Sequence, residues 1–239
     1  MAPPLPRWIA HRGGGTLAPE NTLAGIRLAA RLGFRAVEFD VMLSADGAPV
    51  LIHDETLERT TNGHGPVSAT PEAALLALDA GGGERIPRFI EAARLCRQLG
   101  LFANIEIKPA TGLTAATAET VSRLATELWQ DAPEQALISS FDLEALTIAH
   151  RLAPQLRRGV LYEAVPDDWP DFFRAIAATT LHCDATLIDD ATLRQAAALA
   201  VPVFCYTVDD PAAAADLRRR GVSGFFTDRL DRFSGEAGL

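Results

Sequence analysis

The chain has 239 residues, of which 48% are hydrophobic and 7% aromatic, the composition of a core-forming globule and not of a disordered or fibrous polymer. Its formal net charge of -9 repels nucleic acid and anionic membrane surfaces, so any anionic ligand has to be met by a few placed cations. No apolar run is long enough for stable membrane insertion. The N-terminal MAPPLPRW carries no apolar leader segment. Cys96, Cys183 and Cys205 form no CxxC pair, which reads as buried thiols in a reducing, cytoplasmic compartment.

Taken in chain order, nine short runs rich in Val, Ile and Phe read as strands: 7 to 10, 36 to 43, 49 to 54, 101 to 108, 136 to 141, 157 to 162, 180 to 184, 201 to 208 and 224 to 228. Helical patterns separate most of them. One begins at Asn21 or Thr22 and stops at Gly33, another runs from Asp142 to Pro154, and a third from Asp210 and Pro211 to Gly221. Only Ser44 to Ala48 separate the second and third runs, and Asp46-Gly47 is a hairpin signal, so that pair is antiparallel. With the returning arm set aside, eight strands alternate with helices. The expected architecture is a (β/α)8 barrel in a single domain, residues 1 to 239, with a β-hairpin arm after strand two and a small insertion at about 55 to 87.

Period-two alternation gives the charges a direction. In VEFDV, Val37, Phe39 and Val41 suit the surrounding helices while Glu38 and Asp40 point into the barrel. In ANIEIK, Ile105 and Ile107 face out, and Asn104, Glu106 and Lys108 face in. Buried carboxylates without a cation are costly, and an all-oxygen set of Glu38, Asp40 and Glu106 suits a hard divalent ion, Mg²⁺ or Ca²⁺. His11 ends the first strand and the hairpin returns His53, so two imidazoles flank the carboxylates and can serve as acid and base in either assignment. Arg12 and Lys108 are the candidate phosphate cations. The glycines at 13 to 15 either offer backbone N–H groups to phosphate or simply make a turn. His64 is expected in solvent, and His150 and His182 as ordinary core or surface residues.

The set HRG (11 to 13), PENT (19 to 22), EFDV (38 to 41), HD (53 to 54) and EIK (106 to 108) resembles the glycerophosphodiester phosphodiesterase family, with weaker echoes in SSF (139 to 141), YTV (206 to 208) and TD (227 to 228). The resemblance implies a barrel enzyme that hydrolyses glycerophosphodiesters, such as glycerophosphocholine or glycerophosphoethanolamine, to sn-glycerol 3-phosphate and an alcohol. It gives the metal to Glu38, Asp40 and Glu106, acid–base work to His11 and His53, and phosphate contacts to Arg12 and Lys108. It places Glu20 and Asn21 on the loop after strand one, Glu20 orienting Arg12 or His11. Tyr206 stands where the family usually has tryptophan and adds a phenol hydroxyl; Phe141, Phe226 and Asp228 are further residues of the mouth.

Besides the plain reading of these polar groups as a structural ion-pair network without metal, two rival readings share the residues. One is a phospholipase C- or D-like enzyme that releases a cyclic phosphate, which would want an apolar, membrane-facing rim. The other is a barrel that binds metal and phosphate without turnover, which has no need of both histidines.

Overall fold

The computed structural model describes residues 5 to 235; Met1 to Pro4, on which part of the N-terminal reading fell, lie outside the described residues. The strands are β1 (Trp8–Ala10), β2 (Ala36–Leu43), β3 (Pro49–Leu51), β4 (Phe102–Ile107), β5 (Ala136–Ser140), β6 (Arg157–Tyr162), β7 (Thr180–Asp184), β8 (Val203–Tyr206) and β9 (Gly224–Thr227). Their neighbour order is β1-β9-β8-β7-β6-β5-β4-β2-β3, and β1 also pairs with β2. That last pairing closes eight parallel strands into a barrel and leaves β3 outside it as the antiparallel arm of β2. The fold is a TIM barrel.

The helices are α1 (Leu23–Arg31), α2 (Glu72–Leu75), α3 (Phe89–Leu99), α4 (Thr114–Leu128), α5 (Leu143–Leu152), α6 (Trp169–Ala175), α7 (Asp190–Ala198), α8 (Pro211–Arg220) and α9 (Leu230–Phe233). Their ends follow from local chemistry. The side chains of Thr22, Asp142 and Asp210 accept the backbone N–H of Gly25, Ala145 and Ala213, which satisfies otherwise orphaned donors at the starts of α1, α5 and α8. Gly221 closes α8 in the left-handed conformation.

Two apolar layers hold the barrel. Outside the strands, Val37, Phe39, Val41, Ile105 and Ile107 pack with residues of the helical layer such as Phe89 and Val121, and with Trp129 just past α4, as alternation requires. Inside, Ile9, Ala36, Phe102, Leu137, Phe204 and Phe226 fill the end of the barrel below the polar site. His182 belongs to this interior: it is 1% exposed, bonds Thr180 Oγ1 at 2.9 Å and lies against Phe204 and Phe226.

The hairpin turn is built by Ser44, whose N–H donates to Ala48 O at 2.9 Å and whose Oγ reaches Asp46 Oδ1 at 2.6 Å. The third run is shorter as a strand than its sequence suggests, because pairing with β2 ends at Leu51 and Ile52 N–H makes the last contact, to Asp40 O at 3.2 Å. His53 therefore sits on the chain just past the arm. The insertion that follows is anchored by Leu57, Val67, Leu75 and Ile86, which pack on Met42, Val50 and Ile52 of the hairpin. Cys96, Cys183 and Cys205 are all buried free thiols, and burial pushes that of Cys96 up to about 12. Among the described residues no helix is long and apolar enough to cross a membrane.

Candidate active site

Register does the first work of assembly. Across β2 and β4, Glu38 stands opposite Asn104 and Asp40 opposite Glu106, so carboxylates on alternate positions of two neighbouring strands become one cluster. One oxygen from each of Glu38, Asp40 and Glu106 falls within 4.8 Å of the others. All three are buried, at 2%, 2% and 7% exposure, which decides their electrostatics. Burial first, then repulsion from Asp40 and Glu106, raises the Glu38 carboxyl well above its ordinary range. Burial and the charge of Asp40 push Glu106 up to about 8.

The donor set fits a divalent cation. Among the described residues, Glu38 Oε1 and Asn104 Oδ1 are buried acceptors without a hydrogen-bond donor, beside three carboxylates that Arg12 and Lys108 only partly balance. A hard ion with oxygen ligands meets both deficits at once. Asn21 holds Asp40 from behind. Its Nδ2 donates to Asp40 Oδ2 at 2.8 Å and its Oδ1 accepts the Asp40 N–H at 3.1 Å.

Two imidazoles line the same pocket, together with Arg12, Lys108, Phe141, Tyr206 and Phe226. His11 contacts Asp228 Oδ1 through Nδ1 at 2.8 Å, and its Nε2 lies 3.9 Å from Glu38 Oε2. His53 contacts Asp54 Oδ1 through Nδ1 at 2.5 Å, while its Nε2 meets Lys108 Nζ. A carboxylate accepts only, so each Nδ1 carries a proton, and a ring that holds no second proton has its lone pair on Nε2. Burial lowers the affinity of His53 for a second proton, against the opposing pull of Asp40 and Asp54.

Lys108 Nζ is 3.6 Å from Asp40 Oδ1 and 3.8 Å from Glu106 Oε1. Arg12 donates through Nη1 to Glu20 Oε1 at 2.9 Å, and its buried Nε–H has no partner among the described residues. Burial depresses the Arg12 guanidinium, but Asp40, Glu20 and Glu38 outweigh it and leave the group raised and charged. Arg12 at φ 50° and Asn21 at φ 56° both occupy the left-handed region, which is uncommon for residues with a side chain. Their backbones bond each other, Asn21 N–H to Arg12 O at 2.9 Å, and Arg12 N–H reaches Glu38 Oε2 at 2.9 Å.

Several sequence expectations change in detail. The N–H groups of Gly13, Gly14 and Gly15 donate to Glu38 O, Arg12 O and His11 O, so this loop is a folded turn with no amide left for phosphate. Its glycines serve packing: at Gly15 (φ 54°) a Cβ would stand 2.2 Å from Asp228 O. Glu20 turns to Arg12 and not to His11, and Asp228 holds the His11 ring instead. The Tyr206 hydroxyl donates to Tyr162 O at 2.9 Å, away from the pocket, while its ring meets Phe141 edge-on with centroids 5.8 Å apart.

Sequence reasoning gave no role to Asp54 or Arg59. Arg59 Nε donates to Asp54 Oδ2 at 2.5 Å, and its Nη1 and Nη2 reach Glu20 at 2.8 Å each. The signal was present in HDETLER, an acid directly after the histidine and an arginine five residues on, but nothing in periodicity points from an irregular segment to the first loop.

Residues 11 to 232 match the model of the glycerophosphoryl diester phosphodiesterase family. The chain belongs to this family. It is 35% identical to a glycerophosphodiester phosphodiesterase of Caldanaerobacter subterraneus subsp. tengcongensis, over 92% of this chain and 93% of that one. Among solved structures, it superposes with a TM-score of 0.90 on an Oleispira antarctica phosphodiesterase in complex with the product sn-glycerol-3-phosphate, at 36% identity over 97% of this chain and 96% of that one. A glycerophosphodiester phosphodiesterase from Agrobacterium tumefaciens gives 0.77 at 27% identity, over 97% and 100% of the two chains. Family membership carries the reaction class with it: the chain is an enzyme, a phosphodiesterase.

Proposed function

We propose that this enzyme hydrolyses glycerophosphodiesters, such as glycerophosphocholine and glycerophosphoethanolamine, to sn-glycerol 3-phosphate and the free alcohol. In this reading Glu38, Asp40 and Glu106 hold one divalent cation, Mg²⁺ or Ca²⁺, and His11 and His53 move the protons. The observation that carries it is the pair of imidazoles, each tied at Nδ1 to a carboxylate, lining one pocket with three buried carboxylates.

When bound, the cation would polarise a phosphoryl oxygen and make a coordinated hydroxyl easier to ionise. The protein's own residues do the rest. Arg12 and Lys108 bind the phosphate, the first with its unspent Nε–H and the second as a point charge. They are needed, because three carboxylates and one divalent ion leave a net negative charge that would repel a phosphodiester. The attacking group is either water or the glycerol 2-hydroxyl, whose cyclic phosphate water then opens; one histidine takes its proton at Nε2, and the other, protonated, delivers one to the departing alcohol oxygen as the P–O bond breaks. The ring tethers to Asp228 and Asp54 keep both in the tautomer this requires. Each transfer is worth about 10² to 10⁴ in rate, or about 3 to 5 kcal/mol of barrier. Tyr206 and Phe141 offer an apolar wall for the glycerol carbons.

The test is to strip the protein with a chelator, return Mg²⁺ or Ca²⁺, and measure sn-glycerol 3-phosphate released from a panel of glycerophosphodiesters. Release that depends on the returned ion is expected. Release from none of them would overturn the substrate reading, and release indifferent to the chelator would overturn the metal.

A further inference from the structure

Arg59 lies in the insertion after the hairpin, outside the pocket wall, yet it bridges the two sides of the site. Nε and Nη2, along one edge of its guanidinium, bond Asp54 Oδ2 at 2.5 Å and Oδ1 at 3.0 Å. Nη1 and Nη2, along another edge, bond Glu20 Oε2 and Oε1 at 2.8 Å each. Asp54 holds Nδ1 of His53, and Glu20 holds Nη1 of Arg12. An unbroken line of charged hydrogen bonds thus runs His53, Asp54, Arg59, Glu20, Arg12.

We propose that Arg59 is a positioning residue that fixes the distance between the proton-transfer group His53 and the phosphate anchor Arg12. The inference rests on the reading of those two residues given above. Only a planar guanidinium can clamp two carboxylates on two edges at once; an ammonium of the same charge cannot. The mount is stiff on both sides of Arg59. Leu57 is 1% exposed and bonds Gly65 O through its N–H at 3.0 Å, and Thr61 returns to Leu57 O with its N–H at 3.1 Å and its Oγ1 at 2.7 Å.

Arg59 also divides charge. Glu20 is shared between two guanidinium groups, so Arg12 is only partly neutralised and keeps attraction for phosphate. Without Arg59, the whole of Glu20 would fall on Arg12, and Asp54 would be free to swing away from His53. Stability is not the point of the network: Arg59 is about half exposed, and ion pairs in such places contribute little to folding.

The test uses Arg59→Ala and Arg59→Lys in the full chain with its divalent ion, each checked by thermal melting. Both are expected to lower kcat about 10- to 100-fold and to weaken inhibition by sn-glycerol 3-phosphate. Added guanidinium ion should restore part of the activity of the alanine variant and none of the lysine variant. A readout independent of turnover is the side-chain ¹⁵N spectrum of His53, expected to show the proton on Nδ1 in the parent protein and a mixture of tautomers in both variants. Should the alanine variant not fold, the lysine variant, which keeps the charge, decides by the same two readouts. The proposal is overturned if the variants keep the His53 tautomer together with kcat and product inhibition within twofold of the parent. If the spectrum changes as expected while the parent releases no sn-glycerol 3-phosphate, the substrate reading falls and the positioning role stands.

Discussion

Asn21 and Asp40 grip each other twice, side-chain amide to carboxylate at 2.8 Å and side-chain oxygen to backbone N–H at 3.1 Å, both bonds buried. The first loop is thereby fastened to the strand that carries two of the three clustered carboxylates. Replacing Asn21 with Ala removes both bonds and leaves the Asp40 N–H unpaired, at a residue whose φ of 56° asparagine tolerates better than alanine. The expected loss is about 1 to 3 kcal/mol in chemical denaturation, with weaker cation binding. An unchanged denaturation midpoint would show that the pair carries no strain or structure.

The acidic cluster predicts opposite effects with and without metal. Glu38→Gln takes an ionisable carboxyl out of a buried set that repels itself, so the chelator-treated variant should melt above the chelator-treated parent. The same change takes away a proposed ligand, so Mg²⁺ or Ca²⁺ binding by calorimetry should weaken by more than about tenfold. Equal affinity in parent and variant would remove Glu38 from the metal site.

His182 predicts acid sensitivity away from the catalytic chemistry. Burial pushes the ring down to about 3 from an ordinary value of 6.5, so the folded state refuses a proton that the unfolded chain accepts. The unfolded state therefore binds more protons between those values, and stability is lost as pH falls from 6.5 toward 3, by up to about 1.4 kcal/mol per pH unit. Urea unfolding of His182→Gln should show a shallower fall than the parent between pH 6 and 4. Parallel slopes would mean that the ring is not held neutral.

Tyr206 tests which part of an aromatic side chain the pocket uses. Because the hydroxyl is spent on Tyr162 O, Tyr206→Phe should leave KM for glycerophosphocholine within about twofold. Tyr206→Ala removes the ring and should raise KM by about 2- to 12-fold, the range that corresponds to the 0.5 to 1.5 kcal/mol of an aromatic contact. A phenylalanine variant as impaired as the alanine variant would put the hydroxyl on the substrate.

Much of this arrangement was legible in the chain because strands report their own geometry. The alternation around Glu38, Asp40 and Glu106 gives the direction of each side chain, and Asp46-Gly47 gives the reversal that brings His53 near them. The second ring of residues was not legible in the same way. Asp228 meets His11 across 217 residues of sequence, a contact that exists only because β1 and β9 become neighbours when the barrel closes. Arg59 sits in a segment with no period, where no pattern tells a side chain's direction. The glycines at 13 to 15 show the opposite failure: their sequence suggests an anion loop, but their amides are used up inside the turn.

The proposed mechanism has His11 and His53 carry the proton transfers beside an acidic site that holds the cation. Its most direct test is kcat/KM on glycerophosphocholine, at saturating divalent ion, for the parent, His11→Ala and His53→Ala. Each variant is predicted to lose about 10² to 10⁴ in rate while its melting temperature stays near that of the parent. A folded variant that retains activity within tenfold of the parent would contradict the role given to that histidine, and two such variants would contradict the mechanism.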